Sequence, residues 1–175
     1  VMFANCPELT FLDVSGFDTS NVISFSGMFD GCKKLENIDV SNFDTAKAVN
    51  MGRMFCGCES FDTIDISKFD TSNVQYFGEM FAECSGLTEL DVSTFDTSSA
   101  IVMSGMFSGC TGLETLELGV FDTSKVKYMN AMFYECMNLK EKFTNSFLNG
   151  CGFTVGLVFT IVFAFGFCSV FLKHC

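Results

Sequence analysis

The sequence lacks the residues on which most catalytic sites depend. Tryptophan is absent, proline occurs once, and the one histidine, His174, is the second residue from the end. Catalytic schemes that use an internal imidazole as acid or base are therefore excluded. With 15 glycines and 1 proline, collagen-like and proline-rich classes are excluded too. No nucleophile elbow or phosphate loop is present, so we expect no enzymatic activity.

Positive charge is also scarce. The 175 residues include 10 basic and 21 acidic side chains, which gives a net charge of -11. Such a chain repels phosphate backbones, so we expect no binding to nucleic acid. Half of the residues (49%) are apolar, which is too many for a disordered chain. All of the acids precede residue 142, and no charge lies between Lys142 and Lys173.

The sequence does contain an internal repeat of constant period. The dipeptide Met-Phe recurs at residues 2–3, 28–29, 54–55, 80–81, 106–107 and 132–133. One cysteine of each unit keeps the same step: Cys6, Cys32, Cys58, Cys84, Cys110 and Cys136. Five full units and the start of a sixth follow one another without insertion or deletion. One unit cannot bury its own apolar side chains, so stacked units must share a continuous core, as in a solenoid.

Within a unit, the segment L-D-V-S alternates between apolar and polar residues. In its first copy, Leu12 and Val14 are expected to face the core, whereas Asp13 and Ser15 face solvent. This alternation predicts a short strand with one buried face. Stacked copies would pair as a parallel sheet with about 4.8 Å between strands.

The rest of the unit predicts a corner and two further sides. Residues 17–20 form a Phe-Asp-Thr-Ser cluster, whose polar side chains can bond nearby backbone amides and so hold a corner. Residues 22–25 suggest a second extended segment. Met28, Phe29 and Cys32 recur near the spacing of one helical turn, so we predict a short helix or a 3₁₀ turn on this side.

The pattern resembles the BspA-type leucine-rich repeats of microbial surface proteins, in the variant that has this period. Residues 90–93 (L-D-V-S), 95–98 (F-D-T-S) and 106–110 (M-F-S-G-C) carry the resemblance, which extends from Val1 to Leu139. It implies a leucine-rich-repeat solenoid of the α/β, β-rich class. The coil would be right-handed, with short parallel strands and a short helical turn per repeat. It also implies adhesive or partner-binding surfaces on the cell surface, and it carries over no active site.

A second feature is an uncharged segment near the end of the chain. Residues 153–172 are 20 in number, or roughly 30 Å as a helix, which matches the hydrocarbon core of a bilayer. We therefore predict a solenoid over residues 1–141, a juxtamembrane linker over 142–152, a transmembrane helix over 153–172 and a tail over 173–175. The chain opens in mid-unit, so we expect it to be a piece of a longer array.

Two membrane orientations remain open. Lys140 and Lys142 precede the apolar segment and Lys173 follows it, so the lysine count favours repeats inside the cell. The family resemblance favours repeats outside, which we prefer. The first hypothesis is therefore a single-pass cell-surface binding or adhesion module. The alternative is a tail-anchored scaffold or structural protein in the cytosol. A cleaved lipid-anchor signal fits the end of the chain less well, because its polar spacer is too short.

Acidic residues form two columns in the predicted solenoid. The strand-face column is interpreted as a solvated recognition face: Asp13, Asp39, Asp65, Asp91 and Glu117. The corner column is interpreted as capping the backbone: Asp18, Asp44, Asp70, Asp96 and Asp122. Calcium is the alternative ligand of the strand-face column, but no D-x-D-x-D-G loop is present.

The repeated cysteines are interpreted as structural core thiols. Stacked copies would come close enough for disulfides, but a buried free cysteine behaves as a small hydrophobe. Zinc sites need ligands that cluster in sequence, whereas these lie a whole repeat unit apart. We therefore predict no metal and no cofactor. The expected partners are a protein or glycan ligand and, through the C-terminal helix, the lipid bilayer.

Overall fold

The computed structural model describes residues 2–116, 118 and 121–140. The chain winds into stacked coils, one for each repeat unit, so the predicted repeat solenoid is confirmed. Within the described residues there is no helix and no strand longer than a single bridge. The coils are held together by isolated parallel bridges, by turns and by side chains that reach the next coil.

One side of the coil carries a parallel ladder of such bridges. The rungs join Ser24 to Asn50, Tyr76, Val102 and Tyr128 in turn. At each rung, the carbonyl of the residue before the bridge accepts two N–H groups of the next coil. The carbonyl of Ile23, for example, accepts two N–H groups at N···O distances of 2.8 and 3.3 Å. We call this side, residues 23–24, 49–50, 75–76, 101–102 and 127–128, the bridge side. It corresponds to the second extended segment predicted from the sequence.

The predicted strands at L-D-V-S are wrong in one respect and right in another. Burial alternates as predicted: Leu90 and Val92 are buried, whereas Asp91 and Ser93 are exposed. However, these residues form no bridge to the neighbouring coils, and the one described bridge nearby joins Glu89 to Thr115. The reason is local. Within the described residues, the aspartate of four copies accepts the backbone N–H two residues later, so that N–H does not donate to a neighbouring coil.

The predicted short helix is wrong, but the alternative prediction of a 3₁₀ turn agrees with part of the hydrogen bonding. The N–H groups of Met28 and Cys32 each donate to the carbonyl three residues back, at 3.1 Å. Residues 25–31 form a turn in which alternate N–H groups donate to the following coil, not four residues back as in a helix. The N–H of Phe29 reaches the carbonyl of Met54 at 2.9 Å, and that of Gly31 reaches Cys56 at 2.7 Å. Gly27 and Gly31 have φ values of +60° and +73°, which are incompatible with a right-handed helix.

The direction of these hydrogen bonds differs between the two sides. On the turn side, which comprises residues 25–31 and the equivalent residues of other coils such as 77–83, the N–H of an earlier coil donates to the carbonyl of a later one. Phe77, for example, donates to Val102. On the bridge side, the later coil donates to the earlier one, as Ile101 does to Gln75. The N–H of Thr88 also donates to the earlier coil, at the carbonyl of Asp62.

A column of stacked phenylalanines runs through the core. The Met-Phe dipeptide places its ring over the equivalent ring of the next coil, with centroids 5.6–6.0 Å apart. The members are Phe3, Phe29, Phe55, Phe81, Phe107 and Phe133. Offset ring pairs at this spacing add about 0.5–1.5 kcal/mol each beyond the area they bury. The column therefore fixes the register in which coils stack.

Candidate functional site: the exposed columns of the coil

The strand-face acids lie in exposed turns. Asp13, Asp39, Asp65 and Asp91 each accept the N–H of the serine two residues later at 2.8–2.9 Å. The fifth member, Glu117, lies outside the described residues. Hydrogen bonds from that serine, chiefly its hydroxyl, lower the pKa of three of these carboxyls; for Asp65 the backbone N–H contributes most. The column is therefore anionic at neutral pH.

The corner acids hold the backbone of the corner. Each accepts the N–H two residues later, at 2.9–3.1 Å. The acceptors are Asp18, Asp44, Asp70, Asp96 and Asp122. The hydroxyls of Ser20 and Ser72 also donate to Asp18 and Asp70 at 2.6 Å, and these bonds lower the pKa of both carboxyls.

A buried threonine follows each corner acid and joins two coils. The hydroxyl of Thr71 donates to the carbonyl of Asp96 at 3.0 Å and accepts the N–H of the same residue at 2.8 Å. Thr19, Thr45 and Thr97 make the same pair of bonds to the following coil. One side chain thus satisfies a donor and an acceptor of its neighbour. The sequence indicated a bond at the corner, but not that it would cross to the next coil.

The repeated thiols are free, and all of them lie in the core except that of Cys6, which is half-buried against it. Cys84 and Cys110 donate to the carbonyls of Phe55 and Phe81, at 3.1 and 3.0 Å. Burial raises the pKa of both thiols well above the usual range, and that of Cys136 to about 12. Cys6, Cys32 and Cys58 are free as well. Within the described residues, no group of three or more potential ligands could hold a metal ion.

Charged side chains on the outside pair across coils. Lys33 reaches Glu59 at 2.7 Å and Lys140 reaches Glu114 at 2.8 Å, each pair joining equivalent positions of neighbouring units. Arg53 contacts Asp30 at 2.9 Å and also Glu79. Such exposed pairs contribute about 0–1 kcal/mol each. Their effect is to cancel part of the surface charge, and none of these pairs involves a residue of the two acidic columns.

The tyrosines of the bridge side are candidate residues that the sequence reasoning missed. Tyr76 and Tyr128 occupy the same position of the unit and are 41% and 59% exposed. A groove on the same side of the coil is lined by other residues, among them Gln75, Lys125 and Lys127. Alignment of the units by their period would have shown two aromatic residues in one column. That column was instead taken as part of an extended segment without a ligand-binding role.

A known family matches most of the sequence. It is described as "Mycoplasma protein of unknown function, DUF285", and the match extends over residues 1–90 and 88–149. The chain belongs to this family. In this DUF285 chain, the matched region contains both acidic columns, the threonine column and the bridge side. No curated protein matches the sequence.

A solved structure resembles this DUF285 chain. It is a leucine-rich repeat protein from Bacteroides ovatus ATCC 8483, with 25% sequence identity and a TM-score of 0.46. The similarity covers 82% of the DUF285 chain, which spans 40% of the length of the Bacteroides protein.

The predicted membrane segment lies outside the described residues, as do the predicted linker and tail. In the part of the chain that the structure describes, no apolar helix reaches the length needed to cross a bilayer.

Proposed function

We propose that this chain is a membrane-anchored binding or adhesion module of the BspA-type leucine-rich-repeat kind, displayed on the cell surface. The observation that carries the proposal is the strand-face acidic column. Its exposed carboxylates lie on successive coils and are oriented by the serines beside them. A fixed row of like charges favours a partner with matching positive charge. The uncharged segment at residues 153–172 supports the anchor.

The stacked core explains how the column would recognise a partner. Buried rings, thiols and threonines fix each coil relative to the next, so the carboxylates are held before binding and little ordering entropy is lost. The described residues contain no metal-binding group, and we propose no catalytic role for the chain.

Binding to a basic probe tests the acidic column. We expect a lysine-rich peptide to bind the full chain more tightly at low than at physiological salt. Replacing Asp39, Asp65 and Asp91 by Asn should weaken binding about tenfold. The matched control replaces three exposed acids outside the column, as Glu36→Gln, Asp62→Asn and Glu89→Gln, and changes the net charge equally. If both variants lose the same affinity for the peptide, the column contributes only nonspecific charge.

The side of the membrane is tested on intact cells that produce the protein. Antibodies against the repeats should label cells without permeabilisation, and added protease should remove the label. If labelling requires permeabilisation, and the repeats are cleaved only from the cytosolic side, the tail-anchored scaffold is the correct interpretation.

A further inference from the structure

One side of the coil contains no acidic residue. It includes the bridge side and the residues that flank it in each unit. We call it the acid-free side, and its segments are residues 20–26, 46–52, 72–78, 98–104 and 124–130. They hold three lysines, Lys47, Lys125 and Lys127, and none of the 21 acidic residues. The negative charge of the chain, -11 in total, therefore comes entirely from residues outside these segments.

The acid-free side also exposes large apolar side chains. Ile23 and Tyr128 are 62% and 59% exposed, and Tyr76 is 41% exposed. Half-buried apolar residues of the bridge side lie between them: Val49, Ile101 and Val102. The row crosses five coils and so extends over about 19 Å at the spacing of parallel rungs. A row of exposed apolar residues among polar neighbours is typical of an interaction surface.

The lysines do not make the acid-free side strongly positive. Lys47 and Lys125 interact electrostatically with the nearby corner carboxylates of Asp18 and Asp122. Lys47 also donates to the amide oxygen of Asn21 at 2.7 Å. Because these contacts offset much of the lysine charge, the acid-free side is close to neutral. A nearly neutral and partly apolar surface is more complementary to a surface of the same kind than to a polyanion.

Charge determines where a second copy of the chain can approach. The strand-face and corner columns present exposed carboxylates on successive coils, and two such rows facing each other would repel. On the acid-free side, two copies can bring apolar side chains together without opposing carboxylates. The backbone groups of the rungs are bonded between coils, so the contact would form through side chains and not through strand pairing.

We infer that two copies of this chain associate through their acid-free sides, antiparallel to each other about a two-fold axis at Tyr76. The ladder determines which coils then meet. The middle coil lies opposite itself, so the Tyr76 rings of the two copies meet, and the first coil lies opposite the fifth. Ile23 of each copy therefore contacts Tyr128 of the other.

The positions of the lysines favour the antiparallel orientation. In a parallel pair, Lys125 and Lys127 would face the same two residues of the other copy and repel them. In the antiparallel pair they face residues 20–26, which contain no lysine. Lys47 likewise faces residues 98–104, which contain none.

The size of the acid-free side predicts a weak association. Seven residues across and five coils along give a patch of roughly 20 Å by 20 Å. That is about half of the roughly 800 Å² that each partner buries in a standard interface, so the dimer should form at high concentration only. The inference goes beyond the proposed function, because it concerns a different side of the coil and a different partner.

Analytical ultracentrifugation of the full chain in a neutral detergent tests the association. We expect the mass to rise from monomer to dimer as the protein concentration increases from micromolar to millimolar. Tyr76→Asp places two carboxylates opposite each other at the axis and should weaken the association at least tenfold. The matched control is Tyr134→Asp, which makes the same change at an exposed tyrosine outside the acid-free side and should leave the association unchanged.

Cross-linking with a short bismaleimide tests the orientation without the aspartate variants. A mixture of Ile23→Cys and Tyr128→Cys should give a cross-linked dimer, whereas each variant alone should not, because its new thiols lie at opposite ends of the pair. The unaltered chain measures the background from the native thiols, of which the repeated ones are buried apart from Cys6.

Three outcomes would overturn the inference. The first is a chain that stays monomeric at millimolar concentration, which would mean that the acid-free side serves a partner of another kind. The second is a dimer that Tyr76→Asp weakens no more than Tyr134→Asp does. The third is cross-linking of Ile23→Cys or Tyr128→Cys with itself, which would show a parallel pair. None of these outcomes affects the peptide and intact-cell tests, so failure of this inference is distinguishable from failure of the proposed function.

Discussion

At the scale of single residues, the hydroxyl of the corner threonine makes two hydrogen bonds to the next coil. The hydroxyl of Thr71 lies in a buried position and bonds both backbone groups of Asp96. Removing the hydroxyl would leave a donor and an acceptor without a partner in a partly buried site. The penalty for such groups exceeds the net gain from the bonds themselves.

Thr71→Val tests this account, because valine keeps the shape and loses the hydroxyl. We expect the free energy of unfolding to fall by about 1–3 kcal/mol in urea titration. Thr71→Ser, which keeps the hydroxyl, should cost less. Thr63→Val is the control at an exposed position of the same repeat. If the valine and serine variants at position 71 are equally unstable, the methyl group and not the hydroxyl is responsible.

The left-handed turn positions offer a second residue-scale test. Ala131 has a φ of +56° and Gly57 a φ of +70°, although only glycine adopts such values freely. A methyl group at Gly57 would meet Gly31 at ordinary contact distance, so backbone conformation alone decides the result. We expect Ala131→Gly to stabilise and Gly57→Ala to destabilise the fold, each by about 1 kcal/mol in thermal or urea unfolding.

Gly16→Ala is the matched control for this pair. Its added methyl would meet nothing within 4 Å, and its φ lies outside the positive region. It should leave stability unchanged or slightly raised. Destabilisation at position 16 as large as at position 57 would show that φ is not the cause.

At the scale of the element, the thiol column links the stability of the stack to alkaline pH. Burial raises the folded-state pKa of Cys84 and Cys110 above that of an unfolded thiol, about 8.5. A group with a raised folded pKa contributes stability that is present below the unfolded pKa and is lost as pH rises through the folded value. The loss therefore begins near pH 8.5 and continues to about pH 12, the value for Cys136.

Urea unfolding between pH 7 and 10.5 measures this loss. Each buried thiol should remove up to about 1.4 kcal/mol per pH unit above the unfolded pKa. Cys84→Ala should start from a lower stability, because it leaves a small cavity, but should fall less steeply with pH. If the free energy of unfolding falls with pH at the same rate in the variant and in the unaltered chain, groups other than this thiol cause the loss of stability at alkaline pH.

The elements also show how much of the fold can be predicted from the sequence. The period and the core were predictable, because Phe55 and Cys84 recur in their unit positions and the core repeats with them. The alternation at Leu90 to Ser93 predicted which side chains are buried, but alternation says nothing of whether the backbone pairs. The left-handed positions in the turn at residues 25–31 were unpredictable, because Arg53 and Glu79 occupy positions that glycine occupies in other coils. The groove was missed for a related reason, since its residues differ from coil to coil.

At the scale of the whole molecule, the exposed aspartates make the stack sensitive to acid. Serine hydrogen bonds lower the folded pKa of Asp13, Asp39, Asp65 and Asp91. A lowered folded pKa contributes stability that is present above the unfolded value and is lost as pH falls through the folded one. We therefore expect stability to decrease from about pH 4 downward.

Circular dichroism during acid titration measures this decrease. A variant with Asn at positions 39, 65 and 91 keeps an oxygen that can accept the serine N–H, but it cannot titrate. Its stability should change less than that of the unaltered chain between about pH 5 and pH 2. Identical acid curves would show that the aspartates do not govern acid stability.

The opposed hydrogen-bond directions of the turn and bridge sides have an electrostatic consequence for the length of the array. Between the coil of residues 65–90 and the coil of residues 91–116, four N–H groups of residues 77–83 donate forward. Four donate backward, from Asp96, Ile101, Val102 and Glu114. Their dipoles along the axis oppose each other, unlike the aligned peptide dipoles of an α-helix. Such a stack has no strongly positive or negative end, and it can lengthen coil by coil without accumulating an axial dipole.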